Sequence, residues 1–285
     1  MLPSDRLRTL AVFAEDPNLS RAARVLGLSQ PAVHAQLKAL AEDVGVALYQ
    51  RQGRSLVLTR AGAEVAAIAR WIDETTVELV ARLRGEETSQ PVVLAAGAGA
   101  LVHLLAGGLR RFSRAGTAPI EVTTCDAAQA VELVRRGLAH VGVGVLDAPP
   151  AGLEAHVLAR AAQVVVVPRG HRLAARRRVS LADVATEPLV LPPEGGPQRR
   201  ALDAALAGTR PRVAAAVRGW DVVLKLVEAG VGIGIVNATC ALPRSLVARP
   251  VHDLARVTYY ALTRPKPSPR AHALVEAFLA TITNV

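Results

Sequence analysis

Gln30, Ala32, His34, Gln36 and Lys38 stand off the apolar positions Val33, Leu37 and Leu40 in a stretch that opens Ser29-Gln30-Pro31. Glutamine and histidine offer donor and acceptor together, lysine a point charge, and alanine leaves room. That chemistry suits base edges and phosphates in a major groove. Ser20, Arg21 and Ser29 extend the set upstream, and Arg51 and Arg54 bring two guanidiniums to where phosphates could be met. A quieter second set comprises Gly97-Ala98-Gly99-Ala100, Asp126-Ala127, Gly196, Gln198-Arg199, Trp220 and Asn237. These fall near changes between strand and helix patterns, where free N–H groups and helix dipoles collect ligands. An anion held by backbone N–H groups with Arg199 or Arg200 as counter-charge is one reading. A bulkier, less polar ligand against Trp220 is another. A third is that the Gly/Ala turn serves only close packing of helix on strand, and Asp126 has a rival use as a helix cap.

No catalytic constellation accompanies these sets. Gly97-Ala98-Gly99 lacks the third glycine of a dinucleotide fingerprint, and the seven His residues fall without metal-ligand spacing. The expectation is therefore no cofactor, no metal and no enzymatic activity.

The elements that must carry the first set are short helices. Leu19, Ala22, Ala23 and Leu26 repeat at helical spacing, and so do Val33, Leu37 and Leu40 beyond Leu26-Gly27-Leu28, so two helices can close on one small core. Ser29 suits the cap of the second helix and Pro31 its first turn. This is a helix-turn-helix pattern, with double-stranded DNA as the first partner to consider. From Gly62 to about Glu87, Val65, Ile68, Ala69, Ile72, Leu79, Val80 and Leu83 form the stripe of a long amphipathic helix. The stripe needs a partner, either a second copy or the first domain folded back on it.

After Pro91 short β-rich runs alternate with helical patterns, the signature of parallel α/β units. Strands are predicted at 92–95, 120–125, 141–145, 164–167, 189–191, 213–217, 233–236 and 257–262. Helices are predicted at 101–112, 127–136, 199–206, 222–229 and 271–282. Two α/β lobes joined by two crossovers are the economical arrangement.

The first third of the chain resembles the amino-terminal domain of the LysR-type transcriptional regulators. Beyond the helix-turn-helix, the matching residues are Leu7, Leu10 and Phe13, then Leu40, Val44-Gly45, Leu48-Tyr49, Arg51, Leu58-Thr59 and Ala61-Gly62. They follow that family's pattern of an opening helix, a third helix, a two-stranded wing and a linker helix. His34 stands where the family usually has serine, and Ala41 where it has glutamate. Val227-Glu228-Ala229-Gly230-Val231-Gly232-Ile233 and Pro168-Arg169-Gly170-His171-Arg172-Leu173-Ala174 resemble its effector-binding domain, whose architecture is that of periplasmic solute-binding proteins. The resemblance implies an α/β chain: a winged helix-turn-helix at 1–60, a linker and dimerisation helix with hinge at 61–90, and a two-lobed effector domain at 91–285. Lobe 1 is expected at about 91–160 and 256–285, lobe 2 at about 161–255. Implied partners are DNA, a small-molecule effector, a second copy of the chain as homodimer or homotetramer, and RNA polymerase. Where the family commonly places a hydroxyl residue for an effector carboxylate, this chain has only the glycines and alanines of 97–100.

The net charge of +10 points to nucleic acid only until it is divided. Residues 1–87 hold 11 basic and 11 acidic side chains, residues 88–285 hold 23 and 13, so the excess lies outside the helix-turn-helix. Cys125 and Cys240 make no disulfide framework; a redox switch and two inert thiols remain the alternatives. No apolar run is long enough for a bilayer and no secretory segment opens the chain, so a cytoplasmic location without a membrane is expected. The alternative function is a cytoplasmic small-molecule-binding module with a vestigial helix-turn-helix.

Overall fold

Ser29 accepts a hydrogen bond from the Ala32 N–H and Pro31 fills the first turn, and from that start the third helix runs fifteen residues. The computed structural model describes residues 2–53, 55–84, 90–194, 197–209 and 211–282. Helices α1 (Ser4–Glu15), α2 (Leu19–Leu26) and α3 (Gln30–Val44) close over Leu10, Phe13, Val33, Leu37, Leu40 and Leu48. Gly27, at φ 66°, lets the chain reverse between α2 and α3. Strands β1 (Tyr49–Gln52) and β2 (Ser55–Leu58) pair antiparallel as the wing, and Tyr49 meets Phe13 edge to face at 5.4 Å. Helix α4 (Arg60–Leu83) leaves at Gly62, where a Cβ would sit 1.7 Å from the Leu48 carbonyl oxygen. Only a glycine allows that approach.

The linker stripe divides along α4. Its Ala66 and Ala69 join the head's core, whereas Ile68, Ile72, Leu79, Val80 and Leu83 stay exposed. The helix also docks on the body of the chain. Arg264 donates to the Ala67 carbonyl (2.6 Å), Arg70 to the Arg136 carbonyl (3.0 Å) and Trp71 Nε1 to the Lys266 carbonyl (3.2 Å). Glu74 lies 3.3 Å from His140 Nε2 and 3.4 Å from Arg264.

Among the described residues the body has two five-stranded sheets. Strands β3 (Val92–Ala96), β4 (Ile120–Thr124), β5 (Val141–Val145), β6 (Glu154–Ala161) and β12 (Val257–Thr263) make the first, in the order β4-β3-β5-β12-β6. Strands β7 (Gln163–Pro168), β8 (Pro188–Leu191), β9 (Arg212–Ala216), β10 (Ile233–Asn237) and β11 (Leu246–Pro250) make the second, in the order β11-β7-β10-β8-β9. The chain crosses between them after β6 and again between β11 and β12.

The sheets are mixed, which corrects the expectation of parallel units. β12 runs antiparallel to β5 and β6, and β7 antiparallel to β10 and β11. Strands β6 and β11 were not foreseen. Both lie at sheet edges: a bulge opposite Tyr259/Tyr260 breaks the alternation of β6, and β11 ends in a proline. The helix expected from Leu101 begins earlier, as α5 (Ala98–Ala100), passes through a π-helical turn at Leu101–Leu105 and continues as α6 (Ala106–Arg114). Helix α7 (Ala127–Arg135) opens with a capping box, and α8 (Leu181–Ala185), α9 (Pro197–Ala205), α10 (Trp220–Glu228) and α11 (Pro269–Leu279) follow.

Candidate nucleic-acid interface and interlobe site

Positions four apart on a helix share a face, and positions two apart do not. Gln30, His34 and Lys38 accordingly line the outer face of α3, all exposed, whereas Ala32 and Gln36 fall to the side and are half-buried. Gln36 is a correction to the outward-facing set, since its Oε1 accepts from the Thr9 hydroxyl of α1. Ser20 donates to Gln30 Oε1 at 3.1 Å and so braces that side chain. Arg21 is paired with Asp16 at 2.8 Å and Lys38 with Glu42 at 3.9 Å; these exposed pairs are weak enough for a phosphate to compete. Ser29 spends its hydroxyl on the cap. Arg51 is exposed on β1, and Arg54 lies outside the described residues.

Ser20, Gln30, His34, Tyr49, Arg51 and Ser55 line one groove of about 590 Å³ between α2, α3 and the wing. Tyr49, Ser55, Asp16 and Asn18 are lining residues that the sequence reading missed. Tyr49 carried a signal, because an aromatic beginning the wing must either pack inward or face the groove. Burial pushes its hydroxyl above the usual tyrosine range.

The second set gathers only in part. Gly97 precedes α5 and Ala98 is exposed, but Ala100 is buried in the first lobe's core, a correction to its effector role. It sits on the inward side of the turn. Asp126 caps α7, accepting from the Gln129 N–H (2.9 Å) while Gln129 Oε1 accepts from the Asp126 N–H (3.2 Å). Ala127 packs against Gly144, where a Cβ would come within 2.7 Å of it. Arg199 is buried, donates to Asp203 (2.8 Å) and to the Pro192 carbonyl (3.0 Å), and has Glu194 at 3.8 Å. Its guanidinium is thus held within its own lobe, and it is no free counter-charge. Gln198 is exposed on α9, and Gly196 lies outside the described residues.

Gly99 and Trp220 do meet on the seam between the lobes, and Asn237 makes a separate contact across it. A Cβ on Gly99 would lie 2.9 Å from Trp220 Cε3. Buried Asn237, at the end of β10, donates from Nδ2 to the Tyr259 hydroxyl of β12 at 2.7 Å. His103 completes the seam. Its ring stacks on Trp220 (5.8 Å between centroids, 24° between planes), its Nδ1 accepts from the Ala241 N–H at 3.3 Å, and its Nε2 lies 3.5 Å from Asp221 Oδ1. The sequence reading left His103 among the scattered histidines, because its partners lie 117 to 138 positions away.

Burial pushes the Tyr259 hydroxyl up, and the hydrogen bond from Asn237 pulls it only partly back. The Cys240 thiol is pushed up to about 11, by burial first and by the Asp221 charge second. Cys125 is raised by burial and then by Asp126. Both cysteines are free and held as thiols, which favours the inert alternative.

A winged helix-turn-helix on a long helix, docked on a two-lobed α/β body with a polar seam, defines a DNA-binding regulator with a ligand-binding module. Residues 4–63 match the model of the bacterial regulatory helix-turn-helix protein, lysR family, and residues 85–283 that of the LysR substrate binding domain. The chain belongs to the LysR family of transcriptional regulators. It is 37% identical over 209 residues to the uncharacterized HTH-type transcriptional regulator Mb2303c of Mycobacterium bovis, covering 69% of this chain and 66% of that one. Among solved structures it is similar to ArgP from Mycobacterium tuberculosis, with a TM-score of 0.76, 20% identity and coverage of 99% and 98%. It is also similar to full-length CbnR complexed with its target DNA, with a TM-score of 0.56, 25% identity and coverage of 99% and 100%. Among the described residues no helix is long and apolar enough to cross a membrane.

Proposed function

We propose that the chain reads a two-fold-related DNA site as a homodimer or homotetramer, and that a small molecule at the seam between its lobes sets how the two reading heads are spaced. The carrying observation is the groove in which Gln30, His34 and Arg51 converge. It presents base-reading and phosphate-holding groups on adjacent elements, with α3 for the major groove and the wing for the backbone. Ser20, Arg21, Ser29, Lys38 and Arg54 belong to the same surface in this reading.

The exposed Ile68, Ile72 and Leu79 support α4 as the contact between copies. Residues 1–60 then read DNA, 61–90 couple and dimerise, and 91–285 sense, with lobe 1 at about 91–160 and 256–285 and lobe 2 at about 161–255. Binding of the effector favours one lobe arrangement, and α4, docked on lobe 1 through Arg264 and Glu74, transmits it. The work is binding rather than catalysis, done in the cytoplasm beside RNA polymerase.

A salt-dependent mobility shift on the DNA upstream of the chain's own gene, with footprinting and a small-molecule panel, tests this. Retarded, sequence-selective complexes whose footprint shifts with one compound are expected. Compound binding without any DNA retardation would instead show a solute-binding module with a vestigial head.

A further inference from the structure

Trp220 owes its position to the start of its own helix. Gly219 holds φ at 86°, a conformation closed to most side chains, and from it the first residue of α10 projects across to lobe 1. The indole comes to rest over Gly99, where a Cβ would meet its Cε3 at 2.9 Å and its Cδ2 at 3.0 Å. The ring of His103 stacks on it. Trp220 packs against the cores of both lobes.

His103 adds an independent observation. Its side chain is only 4% exposed, and because Nδ1 accepts from the Ala241 N–H, the neutral ring carries its proton on Nε2. That atom is buried and has no hydrogen-bond partner among the described residues; Asp221 Oδ1 stands 3.5 Å off without closing a bond. A buried donor left unmet is a costly feature to keep. Here it lies on the edge of the imidazole against which the Trp220 indole stacks.

We propose that Trp220 is the resident plug of this seam, and that the effector is a planar ring bearing a hydrogen-bond acceptor, which displaces the indole from Gly99 and accepts from His103 Nε2. This rests on the reading of the seam as the effector site. The displaced indole must leave both lobe cores, so its movement turns the start of α10, and lobe 2 with it, against lobe 1. Planarity follows from the shallow space over Gly99, where even a methyl group would crowd a ring. The acceptor follows from the unmet Nε2.

Calorimetric titration of the full chain tests the plug with three probes: indole, flat but without an acceptor; indole-3-carboxylate, flat with one; and cyclohexanecarboxylate, puckered with one. Trp220→Ala is expected to bind indole-3-carboxylate at least tenfold more tightly than the unaltered chain, with indole and cyclohexanecarboxylate both weaker by about tenfold. Adding His103→Leu should erase the preference for indole-3-carboxylate over indole. Equal affinity of Trp220→Ala and the unaltered chain, or equal binding of the puckered probe, overturns the plug. If Trp220→Ala does not fold, Trp220→Phe keeps a smaller ring in place and should still gain about threefold; no gain there overturns the plug as well. Probes that bind as expected yet leave the DNA footprint unchanged uphold the plug and sink the effector reading. A panel compound that shifts the footprint while the flat probes ignore Trp220→Ala does the reverse.

Discussion

His34 faces the groove from the second turn of α3, with Gln30 one turn before it, and a histidine there can donate to or accept from a base edge. His34→Ala is expected to weaken specific binding by about 1–3 kcal/mol while sparing non-specific binding, measured by titrating cognate and scrambled duplexes. An equal loss on both would make His34 a backbone contact. Arg51→Ala should weaken all sequences alike and reduce the slope of log affinity against log salt by about one; an unchanged slope would remove Arg51 from the interface. The outer face of α3 was legible from spacing alone, since Gln30, His34 and Lys38 are each four apart. Gln36 was not, because its tie to Thr9 depends on how α1 lies across α3, and no local pattern encodes that. Gln36→Ala should therefore act on the fold and not on recognition, lowering stability by about 1 kcal/mol in thermal melts.

The stripe along α4 announced a helix in need of partners, but not which partner each half would take. Its polar residues decide this. Glu74 is the acid that meets Arg264 and His140 where α4 lies on lobe 1, with Arg270 bonded to His140 (3.0 Å) and Arg70 one turn earlier on α4. Burial pushes the Glu74 carboxyl up, but the His140 hydrogen bond and the charges of His140, Arg264 and Arg270 together hold it below its ordinary 4.5. Desolvation likewise lowers Arg70 and Arg264. A folded value below the unfolded one means that the unfolded chain takes up the proton first. The stability owed to Glu74 is therefore full above about pH 4.5 and is lost as pH falls through the folded value. Glu74→Gln should flatten that acid limb in melts run between pH 7 and pH 3, and an unaltered limb would show that the docking does not depend on the charge. Ile72→Glu, on the exposed stripe, should give monomers or aggregates by ultracentrifugation and lose binding to paired half-sites. A stable dimer of unchanged affinity would assign the subunit contact to another surface.

At the scale of the molecule, the two-lobed architecture was legible because the buried strands read as apolar runs between helical patterns. The seam was not. His103, Trp220, Asn237 and Tyr259 come from four elements that meet only once both sheets exist, and Arg199 looked available only because Asp203 and the Pro192 carbonyl could not be placed beside it. Ala98 lies exposed on the turn before Gly99, so Ala98→Leu overfills no core. It should abolish the footprint change caused by an effector while leaving the melting temperature within a degree or two. A marked fall in melting temperature with the response preserved would take the turn out of the cleft.

The sheet order has a consequence for how the protein is made. β12, made after the other strands of the described residues, lies between β5 and β6 in the first sheet, and the residues just after it, Arg264 and Lys266, hold α4 in place. The helix-turn-helix and all five strands of the second sheet are complete by Pro250. A nascent chain can thus fold its reading head and its second lobe while the first lobe still lacks an inner strand and α4 still lacks its ties to Arg264 and Lys266. Arrested chains ending at 250 should protect the head and second lobe from protease but leave α4 open to cutting. The stretch from β12 onward completes the first lobe and so joins the two pieces already folded into a device in which one can report to another.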